Sequence, residues 1–368
     1  GWRRSNIISY EGDPRDPNQV KRWADHRAVM NSIYDVAKEK GCGRVFIETG
    51  QDSGTWGGST HLWTLPYWTN GCVKPYEGMY YESSATTAYW FLAEAWVGPK
   101  DTQTFPYLPY PAERNILIGM EMMKMMGVKY LMAFTPELLA DVRDHPEMFT
   151  EVSSAGDWHV FTIEGRPIVE ALTAEPARLP DFTDKLTDRL AWFKPHVRDS
   201  KEWLDIATPW FNSPQRYEVP LVEGGLKEWQ EVSVTYTTTT TTSVAGQPAA
   251  PAVKRKYGEG VSVSEPEVRP LPKATVSNFE WGDDWVSFDV DRTGVPVLVK
   301  VSYFPNWTVK GAKGPWRSTP NYMVVVPTSK HVVLRYEASP ADRVGWTLTL
   351  VGGSCAVALA RPRRRRLI

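Results

Sequence analysis

Residues 113–134 read ERNILIGMEMMKMMGVKYLMAF, and the way they divide decides the fold class. Residues 113–126 read as a helix, and Gly127 ends it, because glycine takes the left-handed turn of a helix C-terminus without steric cost. Residues 128–134 (VKYLMAF) then form a short apolar run suited to a buried strand. The methionines belong to the core of this unit, since flexible thioethers fill irregular gaps between a helix and a sheet.

The same alternation extends to both sides. Residues 17–40 open with Asp16 as an N-cap and Pro17 at the first helical position. They carry a helical stripe of Val20, Trp23, Ala24, Met30, Ile33, Tyr34 and Ala37, and Gly41 closes it. Residues 44–49 (RVFIET) suit a buried strand. Residues 50–112 are rich in Gly, Trp, Tyr, Pro and Thr, with a helical stretch at 84–97, and a loop of such length points to function. Residues 136–143 form a short helix, and 149–153 with 158–164 form a hairpin around Ala155-Gly156-Asp157. Strand–helix–strand alternation makes residues 1–175 a small α/β domain. Amphipathic helices at 181–193 and 199–207 fill a connector over 176–214.

Beyond about residue 230 the texture changes. A Thr-rich run at 232–242 precedes a Pro-, Ala- and charge-rich stretch, about 243–272, that reads as a flexible insertion. Short strands follow at 275–281, 285–290, 296–303, 322–326 and 331–336, separated by Gly, Pro, Asp and Asn. This is the pattern of a β-sandwich over 215–340. The fold class expected is therefore α+β. Last comes GWTLTLVGGSCAVALA, residues 345–360, 16 residues without a charge, followed by an arginine block. At 1.5 Å per residue it spans about 24 Å, short of the roughly 30 Å hydrocarbon core. The arginines fit the positive-inside rule, so residues 343–368 are expected to be a marginal membrane anchor with a basic tail. A buried strand with a basic tail is the other reading.

Composition narrows the function. The 368 residues carry a formal charge of -1, which argues against a nucleic-acid binder. Three cysteines exclude a disulfide-framework mini-domain, and 17 tryptophans supply either cores or stacking platforms. The chain starts at Gly1 with no apolar leader after it, and reads as a fragment or processed product. The histidines show no metal-ligand spacing, and neither a Walker A loop nor a G-x-S-x-G elbow is present. No cofactor and no metal are expected. Asn306-Trp307-Thr308 is a glycosylation sequon only in a eukaryotic secretory setting.

Several stretches resemble a known family. They are GRVFIETG (43–50), LPYWTNGCVKPYEGMYYESSAT (65–86), MEMMKMMGVKYLMAF (120–134), FTEVSSAGDWHVFTIEG (149–165), VSYFPNWTVKGAKGPW (301–316) and NYMVVVPTSKHVVLRYEAS (321–339). Together they look like the C-terminal part of polytopic bacterial membrane proteins, the YfhO-like, GT-C-type glycosyltransferase relatives. Some of these are labelled pyruvoyl-tetrahydropterin-synthase-related membrane domains. The resemblance implies a bundle of membrane helices, then an extracytoplasmic module, then a closing helix. It implies a polyprenyl-phosphate sugar as donor and an acidic residue acting as base on an early exoplasmic loop upstream of this sequence, so no catalytic residue carries over. This chain is then the extracytoplasmic, acceptor-side module, in cell-envelope glycan assembly. Residues 1–342 would lie outside a bacterial plasma membrane. The partners would be an envelope glycan or lipid-linked sugar, and the membrane through residues 345–360 and upstream helices.

The candidate contacts lie in the long loop region. Glu77 and Glu82 sit beside Tyr81 in PYEGMYYESS, and Glu48 ends the first strand. A carboxylate accepts two sugar hydroxyls while an aromatic ring covers an apolar sugar face. Trp63 and Trp68, in TWGGSTHLWTLPYW, are stacking candidates of the same kind. The glutamates equally suit fixing the loop through backbone N–H groups, and the tryptophans suit packing over the core. A non-catalytic carbohydrate-binding or scaffold protein is one alternative, and a glycosidase using Glu77 and Glu82 another. Cys42 and Cys72 lie in turn-like, Gly-flanked positions where an oxidising compartment would permit a disulfide; two unrelated thiols is the other reading.

Overall fold

The computed structural model describes residues 17–49, 61–76, 85–98, 105–180, 200–237, 255–338 and 340–360. Helix α1 (Pro17–Lys40) buries Val29, Met30, Ile33, Val36 and Ala37, a helical stripe. Strand β1 (Gly43–Ile47) follows. A 3-10 turn (His61–Thr64), the short helix α2 (Leu65–Trp68) and strand β2 (Val73–Pro75) come next. Helix α3 (Thr87–Val97), apolar except for Thr87 and Glu94, is buried on nearly every side, as a helix of that composition must be.

Helix α4 (Ile116–Met125) is capped by Asn115, whose side chain accepts from Leu117 N at 3.0 Å and Ile118 N at 3.4 Å. Gly127, at φ 69°, makes the turn into β3 (Val128–Ala133). Helix α5 (Pro136–Arg143) has Thr135 as N-cap and Pro136 in its first turn. The hairpin β4 (Phe149–Ala155) and β5 (Trp158–Ile163) completes a five-stranded sheet, order β2-β1-β3-β5-β4. Within it β1 runs parallel to both neighbours and β5 antiparallel to β3.

The rest of the chain builds a six-stranded, a four-stranded and a two-stranded sheet. Strands β6 (Val169–Ala171) and β7 (Ala177–Leu179), helix α6 (Ser200–Phe211) and strand β8 (Leu221–Glu223) come first. Strands β9 (Val234–Tyr236) and β10 (Val261–Val263) pair with each other in a two-stranded sheet. Then follow β11 (Val276–Trp281), β12 (Trp285–Val290), β13 (Val297–Val299), β14 (Trp307–Lys310), β15 (Ala312–Ser318), β16 (Tyr322–Pro327) and β17 (His331–Tyr336). One sheet has the order β11-β12-β17-β14, the other β6-β13-β16-β15-β8-β7.

The six-stranded sheet is the middle layer. Val297, Val299, Met323 and Val325 face Val286, Phe288, Val332 and Leu334 of the four-stranded sheet. The alternate residues Leu298, Tyr322, Val324 and Val326 join the core shared with α3, α4, α6 and the five-stranded sheet. Covered on both faces, β16 is buried at every position, which is why YMVVVP is an unbroken apolar run.

The fold is α+β, and four expectations about its layout are corrected. The division at residue 175 falls between β6 and β7, two strands of one sheet. The connector is core, since α6 buries Trp203, Ile206, Ala207, Trp210 and Phe211; the helix expected at 181–193 lies outside the described residues. Residues 255–272 of the expected flexible insertion are structured, since they contribute β10 and the Leu271 N–H donates to Thr173 O at 2.8 Å; residues 243–254 lie outside the described residues. Edge pairing through the backbone needs no apolar periodicity, so composition did not reveal it. Residues 345–360 are helical within α7 (Pro340–Ala360), yet no described helix is long and apolar enough to cross a membrane. Gly345, Gly352 and Gly353 dilute its apolar content, with Thr347, Thr349 and Ser354, whose hydroxyls bond back to carbonyls one turn earlier.

Candidate functional site

A disulfide joins Cys42 to Cys72, with Cα atoms 4.6 Å apart, at the starts of β1 and β2. It reinforces a parallel register in which Gly43 lies beside Val73 and Arg44 beside Lys74. Two cations therefore stand next to each other on neighbouring strands. Facing them is the β11–β12 hairpin, Trp281-Gly282-Asp283-Asp284-Trp285. Gly282 is required there, because a Cβ on it would lie 2.2 Å from the Trp285 indole nitrogen.

Between these elements lies a cleft of about 380 Å³, lined by Arg44, Trp63, Lys74, Tyr76, Trp281, Asp283, Trp285, Lys300, Trp307 and Tyr322. The Lys74 ammonium sits 4.4 Å from the centre of the Trp281 ring. The Arg44 guanidinium sits 5.2 Å from the Tyr76 ring and 5.8 Å from the Trp281 ring. Arg44 is 9% exposed and donates to the Met126 carbonyl and, at 3.1 Å, to the Lys300 carbonyl. It thus clamps the five-stranded sheet to the six-stranded one. The Tyr76 and Tyr322 hydroxyls bond at 3.0 Å, and Trp307 Nε1 donates to Ser302 O at 3.2 Å.

Burial sets the electrostatics. It lowers the Arg44 guanidinium from its ordinary value, against the pull of Tyr322 and Tyr76. It lowers the Lys74 ammonium as well; Asp283 opposes that shift and Arg44 adds to it. Lys300, fully buried, is pushed down to about 7 by burial, against its ion pair with Glu170 at 3.2 Å. The described lining carries Arg44, Lys74 and Lys300 against one carboxylate, Asp283.

A second cavity, about 270 Å³, lies between α6 and β10. Three of the charged residues in its lining are already paired, Asp205 with Arg255 at 2.6 Å and Arg216 with Glu265, while Glu218 is exposed. Trp210 is the one aromatic ring in its described lining, and its cation Arg216 is already paired, so the cleft, with four tryptophans beside Arg44 and Lys74, is the better candidate.

The expected contact residues separate. Trp63 lines the cleft and packs edge-on against Trp90 at 5.9 Å. Trp68, 42% exposed, sits edge-on to Tyr67 and is not part of the lining. Glu48 is a correction: it is 1% exposed and accepts from Phe134 N at 2.7 Å, Thr135 N at 3.0 Å and the Thr135 hydroxyl. Burial raises its carboxyl above the usual range, against these bonds, and its task is to fix the turn from β3 into α5. Glu77, Tyr81 and Glu82 lie outside the described residues, in the segment that follows Tyr76 of the cleft wall. Among the described residues no three of His, Cys, Asp and Glu converge as metal ligands would. Sequence reasoning missed Arg44, Lys74, Lys300, Trp281, Trp285 and Trp307. Two tryptophans flanking a Gly-Asp-Asp turn were the one local signal available.

Comparison with protein-family models, with curated proteins and with solved structures finds no match for this chain.

Proposed function

We propose that the protein binds glycan in the cleft between its five-stranded sheet and the β11–β12 hairpin. It would serve as the extracytoplasmic, acceptor-side module of a membrane glycosyltransferase-like protein of the bacterial envelope. The observation that carries this reading is the lining: Trp63, Trp281, Trp285 and Trp307 beside Arg44 and Lys74 in one concavity. Indole rings cover the C–H faces of sugars, and charged donors take their oxygens. A mostly apolar pocket with a few polar groups is the usual form of a small-molecule site. The Cys42–Cys72 bridge supports an oxidising, extracytoplasmic setting. The described lining offers rings and cations, which suit binding, while Glu77 and Glu82, on which the glycosidase alternative rests, lie outside the described residues.

Calorimetric titration of envelope oligosaccharides tests the reading. Trp281→Leu keeps apolar bulk in the hairpin and removes the ring. A central aromatic contact contributes about 2 kcal/mol, so affinity should fall roughly thirtyfold with the fold intact by circular dichroism. Equal affinities of the folded variant and the parent protein would refute the site.

A further inference from the structure

We infer that the glycan taken by this cleft is acidic, its carboxylate or phosphate oxygens received by the adjacent Arg44 and Lys74. The inference rests on the glycan reading above and specifies its substrate class. Like charges side by side on neighbouring strands repel, and the β1–β2 register imposes that arrangement on Arg44 and Lys74. Among the described residues neither has a carboxylate within ion-pair distance. Arg44 donates to two neutral carbonyls, and Lys74 rests on the Trp281 ring.

Burying a cation without a counter-charge is costly, and a guanidinium does not escape the cost by losing its proton. The neighbouring carboxylates do not relieve it. Glu170 is already engaged by Arg166 at 3.1 Å and by Lys300 at 3.2 Å. Asp283 acts on Lys74 across the cleft without bonding to it. An anionic group on the ligand supplies the missing charge, while the tryptophans beside it hold the sugar. Charged groups on both sides make such contacts the strong ones.

Uronic acids and sugar phosphates share this chemistry, and calorimetry separates them. The probes are trigalacturonic acid, the same trisaccharide with its carboxyls reduced to alcohols, glucose 1-phosphate, and inorganic phosphate. At least one acidic sugar should bind about tenfold or more tighter than the reduced trisaccharide, as a lost charged hydrogen bond implies. Lys74→Met should erase that preference, and Lys74→Arg should keep it. Equal binding of acidic and reduced trisaccharide, with glucose 1-phosphate no tighter, would overturn the inference and leave the glycan site standing. Preference unchanged in Lys74→Met would overturn it too. Inorganic phosphate binding as tightly as glucose 1-phosphate, with no preference for the acidic trisaccharide, would leave an anion site without a sugar and refute it. Failure of every probe would remove the glycan reading itself, and the inference with it.

Discussion

Lys300 shows what the cleft demands of a single residue. Its ammonium is buried between Glu170 and the Lys124 carbonyl, with Arg166 and Arg44 near enough to oppose its charge. Burial therefore wins over the Glu170 ion pair and brings its pKa from 10.5 to about 7. Between those two values the unfolded chain still holds a proton that the folded protein has released. Folding then releases a proton, and stability rises with pH across that window. Lys300→Met should lose this rise, and at pH 6.5 it should be at least as stable as the parent, because Arg166 still pairs with Glu170. Urea denaturation at pH 6.5 and 9.5 measures the difference. Identical pH dependence in the two proteins would show that Lys300 is charged throughout.

At the scale of elements, the β1–β2 pair is the part that positions the site. It is only three register pairs long, too short to hold its alignment by backbone bonds alone. The Cys42–Cys72 bridge, with a sequence separation of 30, closes the intervening loop. Replacing both cysteines with alanine should cost about 3–4 kcal/mol in denaturant unfolding, and should weaken glycan binding by disturbing the Arg44–Lys74 register. Unchanged binding would mean that the sheet alone sets the register. This also explains what could be read in advance. Residues 113–134 and the run YMVVVP declare themselves, because one helical period and one doubly covered strand leave plain apolar patterns. Strands β14 and β15 do not, broken by Gly311, Gly314 and Pro315. The two hairpin tryptophans were read only as strand ends, and Arg44 only as the start of a strand. Their partnership depends on a topology that brings together residues more than two hundred positions apart, and no local pattern encodes it.

The whole molecule is organised around its middle sheet. The six-stranded sheet turns Leu298, Tyr322, Val324 and Val326 to the apolar core of the α/β layer and its other face to the four-stranded sheet, so the layer and the sandwich are joined through that one sheet. Arg44 crosses this boundary, and the cleft sits at its edge, walled by elements from both sides. Two cavities compete for the role of ligand site, and hydrogen–deuterium exchange with and without saturating acidic trisaccharide separates them. Protection is expected in residues 73–76 and 281–286, at the cleft. Protection confined to residues 205–219 and 261–268, around the second cavity, would contradict the assignment of the glycan site.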